Sequence, residues 1–255
     1  MEMPESLSPV VVASIIFACT FAAALFGMVL HRKLPDHHLN DESKEVEKLV
    51  MGLIATLAAL VLGLLVASAK SSFDRQSAEL RQVSATVLEL DGLLAHFGPG
   101  ASEARQRFHS AVSVATAKIW SNDNVRLGLA NHVEANAFYD SIQNLSPNTE
   151  AQRFIQKRAL EISAALRQTS ALMIERVGSS IPWPFLTILV FWLSVLFLGF
   201  GLFASVNATV LVALLIGALS VSSGIFLILE LDQPYQGLIR VSDAPLRNAL
   251  AQINQ

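Results

Sequence analysis

The sequence is poor in the residues that most chemistry requires. Its one cysteine, Cys19, excludes an intrachain disulfide framework and a cysteine-built metal cluster. Charged residues make up only 15% of the chain, against 53% apolar residues, and mean hydropathy is +0.49. That balance is too apolar for an ordinary water-soluble domain. The net charge of -3 offers no basic surface to nucleic acid. No nucleophile elbow, phosphate loop, HExxH or paired-cysteine motif occurs, so an enzyme is not expected, nor a cofactor. His96 and His109 have no neighbouring Ser/Asp order of the kind a triad uses and read as surface or packing residues.

The chain is rich in long hydrophobic runs. Four of them, about Pro9–Leu30, Leu49–Ala69, Pro184–Ala204 and Ala208–Leu231, are long enough to cross a bilayer core of about 30 Å at 1.5 Å per residue. The first does not read as a cleavable signal, because its leader carries Glu2 and Glu5 and no basic residue. Small residues such as Ala18, Ala23 and Gly27 in that run allow close helix approach. The connector His31–Lys48 holds His31, His37, His38, Asp36 and Asp41. Their spacing matches no standard zinc arrangement, so the segment reads as a solvated loop leading into a helix, with no metal.

The stretch Leu49–Phe97 organises the rest. Nothing breaks helix after Ala69, and an apolar seam then appears at Phe73, Leu80, Val83, Val87, Leu90, Leu94 and Phe97, with Gln76 off-pattern. Its 3.5-residue period marks a helix facing other helices in water. Run backwards, the register passes through Ala69, Val66, Leu62 and Ala59. One helix therefore starts in lipid and leaves it as an amphipathic stalk. The seam is too apolar to face water, and the helices of the insert alone are not expected to cover it, so a symmetric homo-oligomer is expected.

The chain divides into membrane helices 1 and 2 (1–69), a helical insert (70–180), membrane helices 3 and 4 (181–231) and a polar tail (232–255). In the insert, Gly98-Pro99-Gly100 is a break and Ser102 an N-cap. Ala104, Phe108, Ala111, Ala115 and Ile119 have helical spacing, Asn122–Asn124 make a turn, and a weaker helix covers about Leu129–Leu145. Ser146-Pro147 fits an N-cap followed by an N1 proline, and a stripe from Ile155 to Val177 forms the return helix. No strand alternation occurs there. The fold class is all-α and membrane-integral. Lys70, Arg75, Arg81, Arg167, Arg176, Arg240 and Arg247 place the insert and both termini in the cytoplasm by the positive-inside rule, against Arg32, Lys33, Lys44 and Lys48 in the connector.

Three stretches carry a resemblance: Gly52–Leu80, Ile181–Phe185, and the exit Phe226–Leu250, which reads FLILELDQPYQGLIRVSDAPLRNAL. Together they resemble the bacterial bestrophin-like domain family, distantly similar to bestrophin ion channels. The resemblance implies a pentameric channel of the bacterial inner membrane, with four spans and cytosolic termini. It implies an apolar neck lined by the second span and passive ion permeation, anions favoured. The calcium-clasp acidic cluster of animal bestrophins is absent, so calcium gating is not implied.

On the second span, Thr56, Leu60, Gly63, Leu64, Ala67, Ser71 and Asp74 follow three- and four-residue steps and are the pore and neck candidates. Leu60 and Leu64 would form the constriction, with Leu53 and Leu62 facing lipid. Lys70 and Glu230 fall at one membrane boundary as a candidate pair. Asp232, Pro234, Gly237 and Arg240 form a tail motif, with Asp232 and Arg240 expected to fix the tail against the stalk. The expected partners are the bilayer, further copies of the chain and inorganic ions. The competing reading is a non-conducting scaffold or sensor whose insert binds a partner.

Overall fold

The computed structural model describes residues 8–33, 41–120, 127–175, 183–204, 207–235 and 237–253. Their regular structure is entirely helical: α1 (Pro9–Lys33), α2 (Asp41–Phe97), a 3-10 turn (Pro99–Ala101), α3 (Ser102–Ile119), α4 (Leu127–Gln143), α5 (Glu150–Glu175), α6 (Trp183–Phe203), α7 (Ala208–Leu231) and α8 (Ala244–Ile253). Helices α1, α2, α6 and α7 are long and apolar enough to cross a membrane. The chain forms two units, one of Met1–Ser72 with Ser179–Asp232, the other of Phe73–Gly178 with Gln233–Gln255.

In the membrane unit, α1 and α6 touch backbone to backbone. A Cβ on Gly27 would lie 2.1 Å from the Leu198 carbonyl oxygen, and one on Gly201 would lie 2.0 Å from that of Ala24. Without water to drive association, this close approach supplies the dispersion contact that joins spans. Gly199 likewise leaves room for the Met51 sulfur of α2. Around these contacts Ile16, Ala58, Leu65, Leu189, Leu193 and Ile225 pack as one cluster. The buried hydroxyls of Thr20 and Ser222 donate to carbonyls one turn back, at 2.9 and 2.8 Å, so neither is left unpaired in an apolar setting. The polar reversal before α7 ends in Asn207, whose side chain accepts from the Val210 amide at 2.8 Å. Ser205 and Val206, also assigned to that reversal, lie outside the described residues.

The second unit is built on the stalk of α2. Leu80, Val87, Leu90, Leu94 and Phe97 are buried against Phe108 of α3, Ile142 of α4, Ile162 of α5 and Leu246 of α8. The Phe108 and Phe138 rings meet at a tilt of 32°, 4.8 Å between centroids. Each such side chain contributes about 1.5–3 kcal/mol by leaving water. The seam is therefore covered by its own chain, which corrects the expectation that it drives oligomerisation. Gln76, expected off-pattern, is buried on the same side as Leu80.

Two helix starts also differ from expectation. Ser102 is not an N-cap but already helical (φ -58°, ψ -42°), because the chain enters α3 through the 3-10 turn. The turn is made possible by Gly98, whose φ of +99° suits glycine. The cap of α5 is Thr149 and not Ser146: its hydroxyl accepts from the Gln152 amide at 3.1 Å, and α5 begins at Glu150. Gln152 also donates to the last carbonyl of α2, Phe97, at 2.9 Å. The expected turn at Asn122–Asn124 lies outside the described residues.

Candidate pore-lining face

Within the membrane unit α2 has two different sides. Ala58, Leu65 and Ala69 are buried against α6 and α7 residues, with Leu62 partly buried beside them. Opposite them, Thr56, Leu60, Gly63, Leu64, Ala67 and Ser71 are all exposed, Leu60 at 70% and Leu64 at 63%. The Thr56 hydroxyl donates to the Gly52 carbonyl one turn back at 2.8 Å, so this donor is satisfied within the helix. Nothing lies within 4 Å of where a Gly63 side chain would start. Asp74 is exposed on α2 just beyond this unit.

Two assignments to the second helix change. Leu53 is 61% exposed and shares the side of Leu60, seven residues away, while Leu62 packs inward against the cluster and so does not face lipid as expected. The backward register also shifts, since Ala59 and Val66 are exposed and Ala58 and Leu65 are buried.

At the membrane boundary Lys70 is exposed, whereas Glu230 in the last turn of α7 is 2% exposed. Asp232 closes α7, its amide donating to Ile228 at 3.1 Å. Pro234, Gly237 and Arg240 belong to a structured loop in the other unit. There the Val241 amide donates to Pro234 at 2.7 Å, Gly237 takes φ +86°, and Arg240 Nε donates to the Gly237 carbonyl at 2.6 Å. Arg240 thus braces its own loop. The loop is held by Trp120, the residue after α3, whose Nε1–H donates to the Val241 carbonyl at 3.2 Å and whose ring meets Tyr235 edge-on. Burial, followed by the charge of Glu79, pushes the Tyr235 hydroxyl up to about 12.

A polar cluster was missed in the sequence. Asp91, buried on the seam side of α2, receives Arg105 Nε and Nη2 at 2.7 and 2.8 Å and His109 Nε2–H at 2.6 Å. Burial alone would raise its pKa. Hydrogen bonds from Arg105 and His109 and their charges outweigh that and hold the carboxyl below the usual carboxylate range. The available signal was an acid at a buried register position with a basic pair four residues apart on the next helix. A cleft of about 490 Å³ borders the cluster, but Arg105 and His109 direct these donors to Asp91. Among the described residues no group of three or more His, Cys, Asp or Glu is arranged to hold a metal.

Four apolar spans, a helical unit between the second and third, and a second span that continues out of the membrane define a class of integral membrane protein with the bestrophin fold. The bestrophin-like domain model matches residues 18–246, and the chain belongs to that family. In three dimensions it is similar to a bacterial bestrophin homolog from Klebsiella pneumoniae carrying a point mutation, with a TM-score of 0.62 at 13% identity over 94% of this chain and 98% of that one. No curated protein matches the sequence.

Proposed function

We propose that the chain assembles into a homo-oligomer, a pentamer by family resemblance, that conducts inorganic ions passively, with α2 turned toward the axis. One observation carries this reading. The most apolar window of α2 has a mean hydropathy of 2.8, yet only 11% of it is buried within the protomer, against 28, 39 and 28% for the other spans. The least covered span is the one that carries Leu60 and Leu64. In a ring these leucines form an apolar constriction that closes by dewetting, with Ser71 and Asp74 toward the mouth. Family membership supports the same reading. By the basic-residue asymmetry, the second unit and both termini face the cytoplasm of the plasma (inner) membrane. Anions are favoured on the resemblance.

The test is ion flux from proteoliposomes, with the reversal potential giving selectivity. Leu60→Ala with Leu64→Ala removes bulk at the neck, and Leu64→Ser makes it wettable; either should raise flux at least several-fold in intact oligomers. Phe26→Ala on α1 and Ile216→Ala on α7, both exposed, serve as controls that leave flux unchanged. Equal null flux from all variants with intact oligomers would support the scaffold reading and sink the channel.

A further inference from the structure

The second unit has a polar surface with few large apolar exceptions among its described residues: Phe154, Leu172 and Leu238. Leu238 is 80% exposed, the most exposed large apolar side chain described. It is not on a loose tail. Gly237 sets the turn, Arg240 Nε closes it onto the Gly237 carbonyl, and the Val241–Pro234 hydrogen bond ties its two ends. Tyr235 and Val241, on either side, are buried. The fold therefore holds one leucine outward at a fixed place, with the exposed cation of Arg240 two residues away. An apolar tip beside a guanidinium matches the bilayer interface, where the side chain meets acyl chains and the cation meets headgroup phosphate.

Chain length supports that partner. Leu238 follows Leu231, the last residue of the α7 span, by seven residues. At roughly 3.3–3.6 Å per residue that segment reaches about 25 Å at most, and the turn shortens it. Phe154 and Leu172 lie farther along the chain from a span end, 29 and 11 residues before Trp183 of α6. We propose that loop 237–240 is a membrane-interface anchor. Leu238 inserts at the level of the lipid glycerol backbone and Arg240 engages headgroup phosphate of the bilayer that α7 has left. The anchor would act independently of whether the protein conducts.

The test uses the full chain with Cys19→Ser, a spin label at Leu238→Cys, and vesicles of phosphatidylcholine with phosphatidylglycerol. A lipid-inserted label collides with dissolved oxygen several-fold more than with a water-soluble nickel chelate. Labels at Leu172→Cys and Phe154→Cys should show the reverse. Replacing Arg240 with Glu should move the Leu238 label toward the aqueous pattern. The reconstituted chain keeps its helical circular dichroism in every variant, because loop 237–240 is not helical and Leu172 and Phe154 are exposed. An aqueous pattern at Leu238 overturns the proposal. So does shielding from both reagents, which would mean that a second copy or another protein covers the loop. Neither result bears on ion flux, so failure here is distinct from failure of the channel reading.

Discussion

Replacing Asp91 with Asn removes the negative charge at the centre of the Asp91–Arg105–His109 cluster while keeping the shape. The native carboxylate is nearly buried and accepts three charge-assisted or polar hydrogen bonds of 2.6–2.8 Å. Removing one partner of a fully buried pair costs about 3–5 kcal/mol. Here the Arg105 side chain is 37% exposed and rehydrates when released, so the loss should be nearer about 2 kcal/mol. For a protein of this size that lowers the melting midpoint by about 4–8 °C, read by circular dichroism in detergent at fixed scan rate. The pH dependence has a definite sign. The folded pKa of Asp91 is depressed, so its contribution is present above the unfolded value of about 3.9 and is lost as pH falls through the folded value. The wild type should thus lose its advantage over Asp91→Asn on acidification below about pH 4. A double change with Arg105→Met should cost less than the sum of the single changes. An Asp91→Asn protein that melts with the wild type at pH 7 would refute the electrostatic account of this cluster.

Gly27→Val or Gly201→Val should separate α1 from α6, because even the first added carbon would sit about 2 Å from a backbone oxygen; gel filtration should show aggregate in place of a uniform particle. Gly92→Ala is the contrasting case, with nothing within 4 Å of the new methyl, and should raise stability by about 0.5–1 kcal/mol through helix propensity. The buried Tyr235 hydroxyl makes no hydrogen bond with any described group. Tyr235→Phe should therefore be neutral or slightly stabilising in thermal melts, and alkaline absorbance titration should find the wild-type phenol ionising near 12. In a Cys19→Ser background, membrane-impermeant thiol reagents should label cysteines placed at 32–48 from outside and leave Ser102→Cys unlabelled; strong outside labelling at 102 would invert the topology.

What the sequence made legible follows the solvent. The seam from Phe73 to Phe97 is readable because water penalises an exposed leucine, so burial and hydropathy coincide along the stalk. Within the bilayer that contrast vanishes. Leu60 and Leu62 are equally apolar, yet one is exposed and the other packs inward; only the register carried back from the stalk sets Leu62 beside Ala69, and it misplaces Val66 and Ala59. The glycines were visible as small residues, but that Gly27 meets Leu198 and Gly201 meets Ala24 depends on a crossing that only the fold supplies. Ser102 and Ser146 both looked like caps because cap propensity is local, whereas the entry to α3 and α5 is decided by Gly98 and Thr149. Asp91 was readable in principle: a charge at a buried heptad position needs a partner, and Arg105 and His109 lie one turn apart on the next helix. These differences also move the argument for assembly. The seam is satisfied inside one chain, so it gives no reason to oligomerise. The bare side of α2 at Leu60 and Leu64 gives one, since lipid or a second copy must cover it. Substitutions at those two leucines, and not along the seam, are therefore the ones that separate a pore from a packed anchor.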